Sequence, residues 1–283
     1  MSKILVTGSN GFIGKNLVSK LKASGHSVIE FSGDILEDES YRKLHREEIS
    51  HCFHLAAKSF VPDSWKSPAH FMEINVLGTE KVLEFCKTQN CSLTFISSYL
   101  YGAPKYLPID EKHPVQTPNP YALSKHLAEE LCKFYAEHFK LKISVIRPFN
   151  IYGPNQDGRF LIPELISKFL GKDEVVEVKD LTPKRDYVYI SDVVEAIEGT
   201  LNIKDNYTVL NIGSGYSLSV MEIVEKIKTL SNSGKAVKSN NETRVNEIPD
   251  TVANISLAYE KMGWNPKVTF DEGITEILKA LKK

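Results

Sequence analysis

Long apolar runs are missing from this 283-residue chain. No stretch approaches the roughly 18 apolar residues of a membrane span, and the N-terminus runs into a strand pattern without the apolar core of a signal peptide. The expectation is a cytoplasmic protein. A charge of one sign is missing too. The 35 Lys and Arg against 36 Asp and Glu leave a formal net charge of -1, which removes the electrostatic case for a nucleic-acid or membrane partner. Any anionic ligand must then be held by local groups. Cysteine is scarce: Cys52, Cys86, Cys91 and Cys132 show no C-x-x-C and no Cys/His ligand spacing, so reduced thiols and no metal site are expected. Repeats and low-complexity tracts are absent as well. What remains, 42% hydrophobic and 25% charged, is an ordinary globular composition. The polar run N-S-G-K-A-V-K-S-N-N, 232 to 241, is expected to be a mobile loop.

The chain opens with an apolar run, Lys3 to Thr7, that reads as a buried strand. G-S-N-G-F-I-G follows, with Gly8, Gly11, Phe12, Ile13 and Gly14, and then a helix from Lys15 to Ser24. In such a unit the first glycine permits a tight turn, and the second lets backbone N–H groups approach a pyrophosphate at the helix N-terminus. The third lets helix and strand pack closely, so the pattern points to a nucleotide phosphate. A second strand, Ser27 to Phe31, ends at Ser32, where an acidic residue would normally grip the adenosine ribose. The next carboxylate is Asp34, beside Ile35, placed better for an adenine amino group. NAD and NADP therefore both remain open.

Further strands are expected at His51 to Ala57 and at Leu93 to Ile96. The first ends in Leu55, Ala56 and Ala57, small enough at the close for a flat ligand to lie near, and the second in Ser97 and Ser98. A helix is expected over Glu73 to Lys87. Asn119 as N-cap, Pro120 at the first helical position and Leu123, Leu127 and Leu131 at four-residue intervals predict another, with Tyr121 and Lys125 one turn apart on one face. An ammonium close to a phenol favours the phenolate, so this pair suits proton exchange near neutral pH. A strand from Ile143 to Pro148 then leads through R-P-F-N-I-Y-G-P, Arg147 to Pro154.

Taken together, G-x-x-G-x-x-G at residue 8, H-L-A-A at 54, the serine-ended strand, Y-x-x-x-K and R-P-F-N-I-Y-G-P resemble the extended short-chain dehydrogenase/reductase family of nucleotide-sugar epimerases, dehydratases and reductases. K-R-D-Y-V-Y-I-S-D-V from Lys184, Y-T-V-L-N-I-G-S-G from Tyr207 and M-G-W-N-P from Met262 extend the likeness over nearly the whole chain. The resemblance implies an α/β protein: a Rossmann-type, doubly wound parallel sheet in 1–150, with a return strand near 207–212, and a smaller α/β substrate-binding lobe mainly in 151–283. It implies a catalytic set of Ser97, Tyr121 and Lys125, with Ser98 the rival hydroxyl. NAD or NADP would lie against Gly8, Gly11, Phe12, Ile13, Gly14, Asp34, Ile35, Leu55, Ala56, Ala57, Tyr121 and Lys125. A nucleotide-sugar would meet Ser97, Ser98, Asn150, Arg185 and Arg244, unless Arg185 pairs internally with Asp186 or Asp192. His54, Asp110 and Glu111 receive no role. By the same analogy, helices around 75 to 87 and 121 to 138 pair into a homodimer.

Departures from the family pattern narrow the reaction. Sugar 4,6-dehydratases carry an Asp-Glu pair where Ser98 and Tyr99 stand, and 3,5-epimerase/4-reductases carry a cysteine at the place of Tyr99 and a histidine near that of Phe160. Oxidoreduction at C4 of the sugar remains. Short length and the vacant position at Ser32 tilt the expectation to a 4-keto-sugar reductase, with a 4-epimerase holding NAD tightly as the alternative. A cofactor-binding sensor without turnover would not need the Ser/Tyr/Lys set.

Overall fold

The computed structural model describes residues 3–242 and 247–282. Its main sheet has six strands: β1 (Lys3–Thr7), β2 (Ser27–Glu30), β3 (Ile49–His54), β4 (Ser92–Ile96), β5 (Ile143–Pro148) and, far along the chain, β9 (Tyr207–Ile212). They lie in the order β2-β1-β3-β4-β5-β9, every pair parallel. Between them run α1 (Phe12–Ala23), α2 (Asp38–Arg42), α3 (Val61–Lys66), α4 (Pro68–Met72), a π turn at Glu73–Leu77, α5 (Gly78–Gln89) and α6 (Pro120–Phe139).

Side chains alternate across the sheet with the period of two that a pleated strand imposes. Ile4 and Val6 join one core with Phe53, Ile96, Ile146, Leu210 and Ile212. Leu5 joins the other with Cys52, Leu93, Phe95, Ile143 and Val145. Leu17, Val18 and Leu21 of α1 cover the first face, whereas Val82, Leu83 and Cys86 of α5 and Ala128 and Cys132 of α6 cover the second. Burial on both faces is what the near-continuous apolar strands call for. All four cysteines are free and buried.

The remainder is built from β6 (Asn150–Tyr152), α7 (Leu161–Leu170), β7 (Val175–Val178), β8 (Lys184–Tyr189), α8 (Ile190–Gly199), β10 (Ser217–Ser219), α9 (Val220–Leu230), β11 (Ala236–Ser239), α10 (Ser256–Met262) and α11 (Phe270–Ala280). β10, β8 and β6 form one small sheet and β11 pairs parallel with β7 in another. The stretch expected to be a mobile loop thus contains a strand. Ala236 to Ser239 find partners in Val175 to Val178, and Val237 packs on the core. A strand this short draws its stability from a partner 61 residues away, which composition alone does not show. Two boundaries also move. α1 begins at Phe12 rather than Lys15, and β3 spans Ile49 to His54, leaving Leu55 to Ala57 beyond its end. Among the described residues no helix is long and apolar enough to cross a membrane.

Candidate active site

The turn after β1 is shaped by what cannot fit there. Gly8 has φ +68°, and a Cβ on it would stand 2.6 Å from Ala56 N and 2.8 Å from Leu55 C, where the chain leaves β3. A Cβ on Gly14 would lie 2.1 Å from Gly8 O, so α1 can rest on the turn only without one. Gly11 caps α1 with no side-chain acceptor, which leaves the first-turn N–H groups, Phe12 and Ile13 among them, to bind an anion. These features fit a dinucleotide pyrophosphate. At the end of β2, Ser32 and Asp34 are exposed, and Asp34 Oδ1 accepts the Leu36 amide at 2.9 Å. Ile35 is buried instead, its Cδ1 occupying the space beside Gly78.

Across the sheet, Asn119 accepts the Ala122 amide at 2.8 Å and Pro120 opens α6, so Tyr121 falls in the first turn and Lys125 in the next. Lys125 is 3% exposed and makes no hydrogen bond among the described residues; its Nζ stands 4.4 Å from the Phe95 ring centroid. Burial lowers its pKa to about 8, against the pull of Cys132 and Glu129. Burial also pushes the Tyr121 phenol up, while the nearby Ser98 hydroxyl draws it down. The expected depression of the phenol by Lys125 therefore does not dominate here. The lysine is itself desolvated and sits over Phe95. Ser97 follows β4 directly, its amide donating to Ile146 O at 2.8 Å, and among the described residues the hydroxyls of Ser97 and Ser98 are buried without a fully formed hydrogen bond. A buried hydroxyl without a partner is costly unless a ligand supplies one.

A polar network that the sequence did not reveal holds this region. Asn75, in the π turn, accepts the Lys58 amide at 2.8 Å and donates to Lys58 O at 3.0 Å and to Ser124 Oγ at 2.9 Å. Ser124 in turn donates to Tyr121 O at 2.8 Å. Thr79 donates to Asn75 O at 2.6 Å and meets His54 Nε2 at 3.0 Å, while His54 Nδ1 meets Thr7 Oγ1 at 2.7 Å. Burial holds the His54 pKa down at about 3, so this imidazole is a neutral strut between β1 and α5. The available signal was Asn75 and Thr79, two polar residues one turn apart in an apolar helix pattern.

At the start of β6, Asn150 donates to Asp186 O at 3.1 Å. Arg185 pairs with neither Asp186 nor Asp192. Its guanidinium meets Glu247 and donates to Lys184 O at 2.7 Å and Ile248 O at 2.5 Å. Asp186 is occupied by Ser214, Gly215 and Ala253, and Asp192 by the amides of Lys267 and Val268. Arg244 lies outside the described residues. Tyr99 donates to Gly102 O and packs its ring on Tyr101 and Phe149, and the exposed Phe160 stacks edge-on against Phe60. Asp110 accepts from Tyr106 and the Lys112 amide, and Glu111 from the Asn211 amide. Among the described residues, no group of three or more His, Cys, Asp or Glu is placed to hold a metal ion.

The sequence and the fold both have counterparts among known proteins. The model of the NAD dependent epimerase/dehydratase family matches residues 4–213. A putative UDP-glucose 4-epimerase of Methanocaldococcus jannaschii is 33% identical, over 99% of this chain and 98% of its own. The GDP-6-deoxy-D-mannose reductase of Pseudomonas aeruginosa is 30% identical, over 98% and 96%. The crystal structure of a UDP-glucose 4-epimerase from Thermotoga maritima with UDP-glucose superposes with a TM-score of 0.93 at 28% identity, covering 99% of this chain and 98% of that one. Family model, relatives and fold agree: the chain is an enzyme of the NAD-dependent epimerase/dehydratase family, among the extended short-chain dehydrogenases/reductases that act on nucleotide sugars.

Proposed function

We propose that the chain interconverts C4 epimers of a nucleoside-diphosphate hexose with NAD or NADP. The observation that carries this is the Ser98 hydroxyl close to the Tyr121 phenol, with the buried Ser97 hydroxyl one residue earlier, among the described residues without a fully formed hydrogen bond at either, and with no carboxylate at the positions of Ser98 and Tyr99. Such a set can move one proton at one sugar oxygen and offers nothing for eliminating water. Tyr121 takes the proton from the C4 hydroxyl and returns it. A serine hydroxyl, Ser97 or its neighbour Ser98, donates to the same oxygen as it becomes a carbonyl. Lys125, without a hydrogen-bond partner among the described residues, binds the nicotinamide ribose and steadies the phenolate. When bound, the nicotinamide accepts and gives back the hydride. Asn150 faces the sugar. Arg185 retains Nε–H and one Nη2 hydrogen for a phosphate oxygen once its three observed bonds are counted.

Length, which tilted the expectation to a reductase, loses its weight beside a relative of matching length that carries a 4-epimerase name. Exposed Ser32 still favours the reductase, because an open ribose site suits a cofactor that comes and goes. The two part on cofactor fate. An epimerase purifies with near one NAD per chain and interconverts UDP-glucose and UDP-galactose with no net change near 340 nm. A reductase consumes NAD(P)H with each nucleotide-4-keto-6-deoxysugar, and that outcome would replace the epimerase reading. In either case Tyr121→Phe should retain cofactor and lose turnover by roughly 10²–10⁴-fold. A second copy of this chain is the partner proposed for the apolar face of α6, where Glu130, Lys133 and Glu137 rim a groove with Val76, Leu127, Leu131 and Phe134.

A further inference from the structure

Two buried charges with no part in the reaction above join the catalytic helix to the strand β5. Glu129, one turn beyond Lys125 on α6, is 2% exposed, and Arg147 on β5 is 6% exposed. The guanidinium straddles the carboxylate, with Nε 3.0 and 3.2 Å from its two oxygens and Nη2 2.5 Å from Oε2. Arg147 Nη1 donates to the Tyr101 hydroxyl at 3.0 Å, and Tyr101 donates to Asn211 Oδ1 at 2.5 Å. Asn211 Nδ2 closes the series on Ile109 O at 3.0 Å.

Three members stand on segments that also carry a site group. Glu129 shares α6 with Tyr121 and Lys125. Tyr101 lies four residues beyond Ser97, and Arg147 three before Asn150. A buried ion pair adds little net stability over apolar groups of the same volume, so holding α6 down does not by itself require one. An apolar core would supply neither a fixed hydrogen-bonded register nor a negative charge one turn from Lys125.

We propose that Glu129, clamped by Arg147 and Tyr101, is a positioning residue for the reaction. It registers α6 against the ends of β4 and β5 and keeps a negative charge beside the Lys125 ammonium. The inference rests on the reading that Tyr121 and Lys125 carry the chemistry. Lys125 is faced by Glu129 and Cys132 of its own helix and by the neutral His54 of β3. Glu129 is faced by Lys125, Cys132, Arg147, Tyr101 and Tyr207, and Glu111 lies near Arg147 and Tyr101. Burial works against the Arg147 charge, yet the bonds and charge of Glu129 outweigh it and raise its pKa.

Glu129→Gln keeps the shape and removes the charge, leaving Arg147 unneutralised near Lys125. The ammonium then gives up its proton more readily. The high-pH limb of the kcat profile should move down by about one unit, lowering kcat about tenfold on that limb, in protein whose melting shows it folded. Adding Arg147→Gln removes the opposing charge and should return the limb at least halfway. A limb unmoved in Glu129→Gln, or displaced equally in the double variant, overturns the proposal. Should Glu129→Gln fail to fold, Tyr101→Phe cuts one link without changing charge: kcat should fall severalfold with KM and the limb unchanged, and an unchanged kcat overturns the proposal. If Tyr121→Phe is inactive while these variants behave as wild type, only this inference fails. An active Tyr121→Phe sinks the functional reading itself.

Discussion

Lys125 makes folding harder in order to serve the site. Its pKa in the folded chain is about 8 against an ordinary 10.5, so between those values the unfolded chain binds more protons than the folded one. Stability from this group therefore rises as pH climbs from about 8 towards 10.5, and below 8 the full penalty remains, on the order of 3 kcal/mol before ligand binds. Lys125→Met should accordingly raise the melting temperature of the cofactor-free protein at pH 7, remove that rise with pH and abolish turnover. A variant that melts below wild type across the whole pH series would mean that the ammonium is well satisfied without a ligand. Spacing placed Tyr121 and Lys125 on one helix face, because two residues four apart on a helix share it, but only the accompanying motifs along the chain marked the pair out. Depth was not legible. Desolvation, and not the mutual charge expected from the spacing, sets both pKa values, and it depends on Phe95 and on helices remote in sequence.

At the scale of elements, the phosphate turn and the strand beside it exclude each other's side chains. Gly8→Ala must accept a left-handed backbone and a Cβ within contact of Ala56 N, a main-chain atom that cannot rotate away. Gly25, with φ +84° and nothing within 4 Å, isolates the first effect from the second. Gly25→Ala should lose roughly 1 kcal/mol in urea unfolding. Gly8→Ala should lose more than that, and cofactor affinity with it. Equal losses in the two variants would show that the turn yields without disturbing the end of β3. Elements whose cause is local were legible in the sequence: the glycine turn, the apolar strands, and α6 with its Asn119 cap. Those whose cause is remote were not. β11 exists through its pairing with β7, and the Asn75–His54–Thr7 series is assembled from three elements whose polar residues look unremarkable one at a time.

At the scale of the molecule, the outer face of α6 is unusually apolar for a surface. Leu127 is 40% exposed and Phe134 48%, with Leu123 and Leu77 also open to solvent. A stripe of this kind on two adjacent helices suits a self-complementary contact about a two-fold axis. Light scattering should give a dimer for the wild type and a folded monomer for the Leu127→Glu, Phe134→Glu variant; a wild type that is monomeric at high micromolar concentration would refute the pairing. The order of strands carries a different consequence. β9 completes the main sheet against β5 along Ile143 to Pro148, but about 60 residues separate the two in the chain. At synthesis rates of about 5–20 residues per second, the nascent protein waits several seconds on the ribosome with one edge of its central sheet unpaired. During that interval β5, apolar and with open backbone groups, is the surface that a chaperone would grasp and that a neighbouring nascent chain would misjoin.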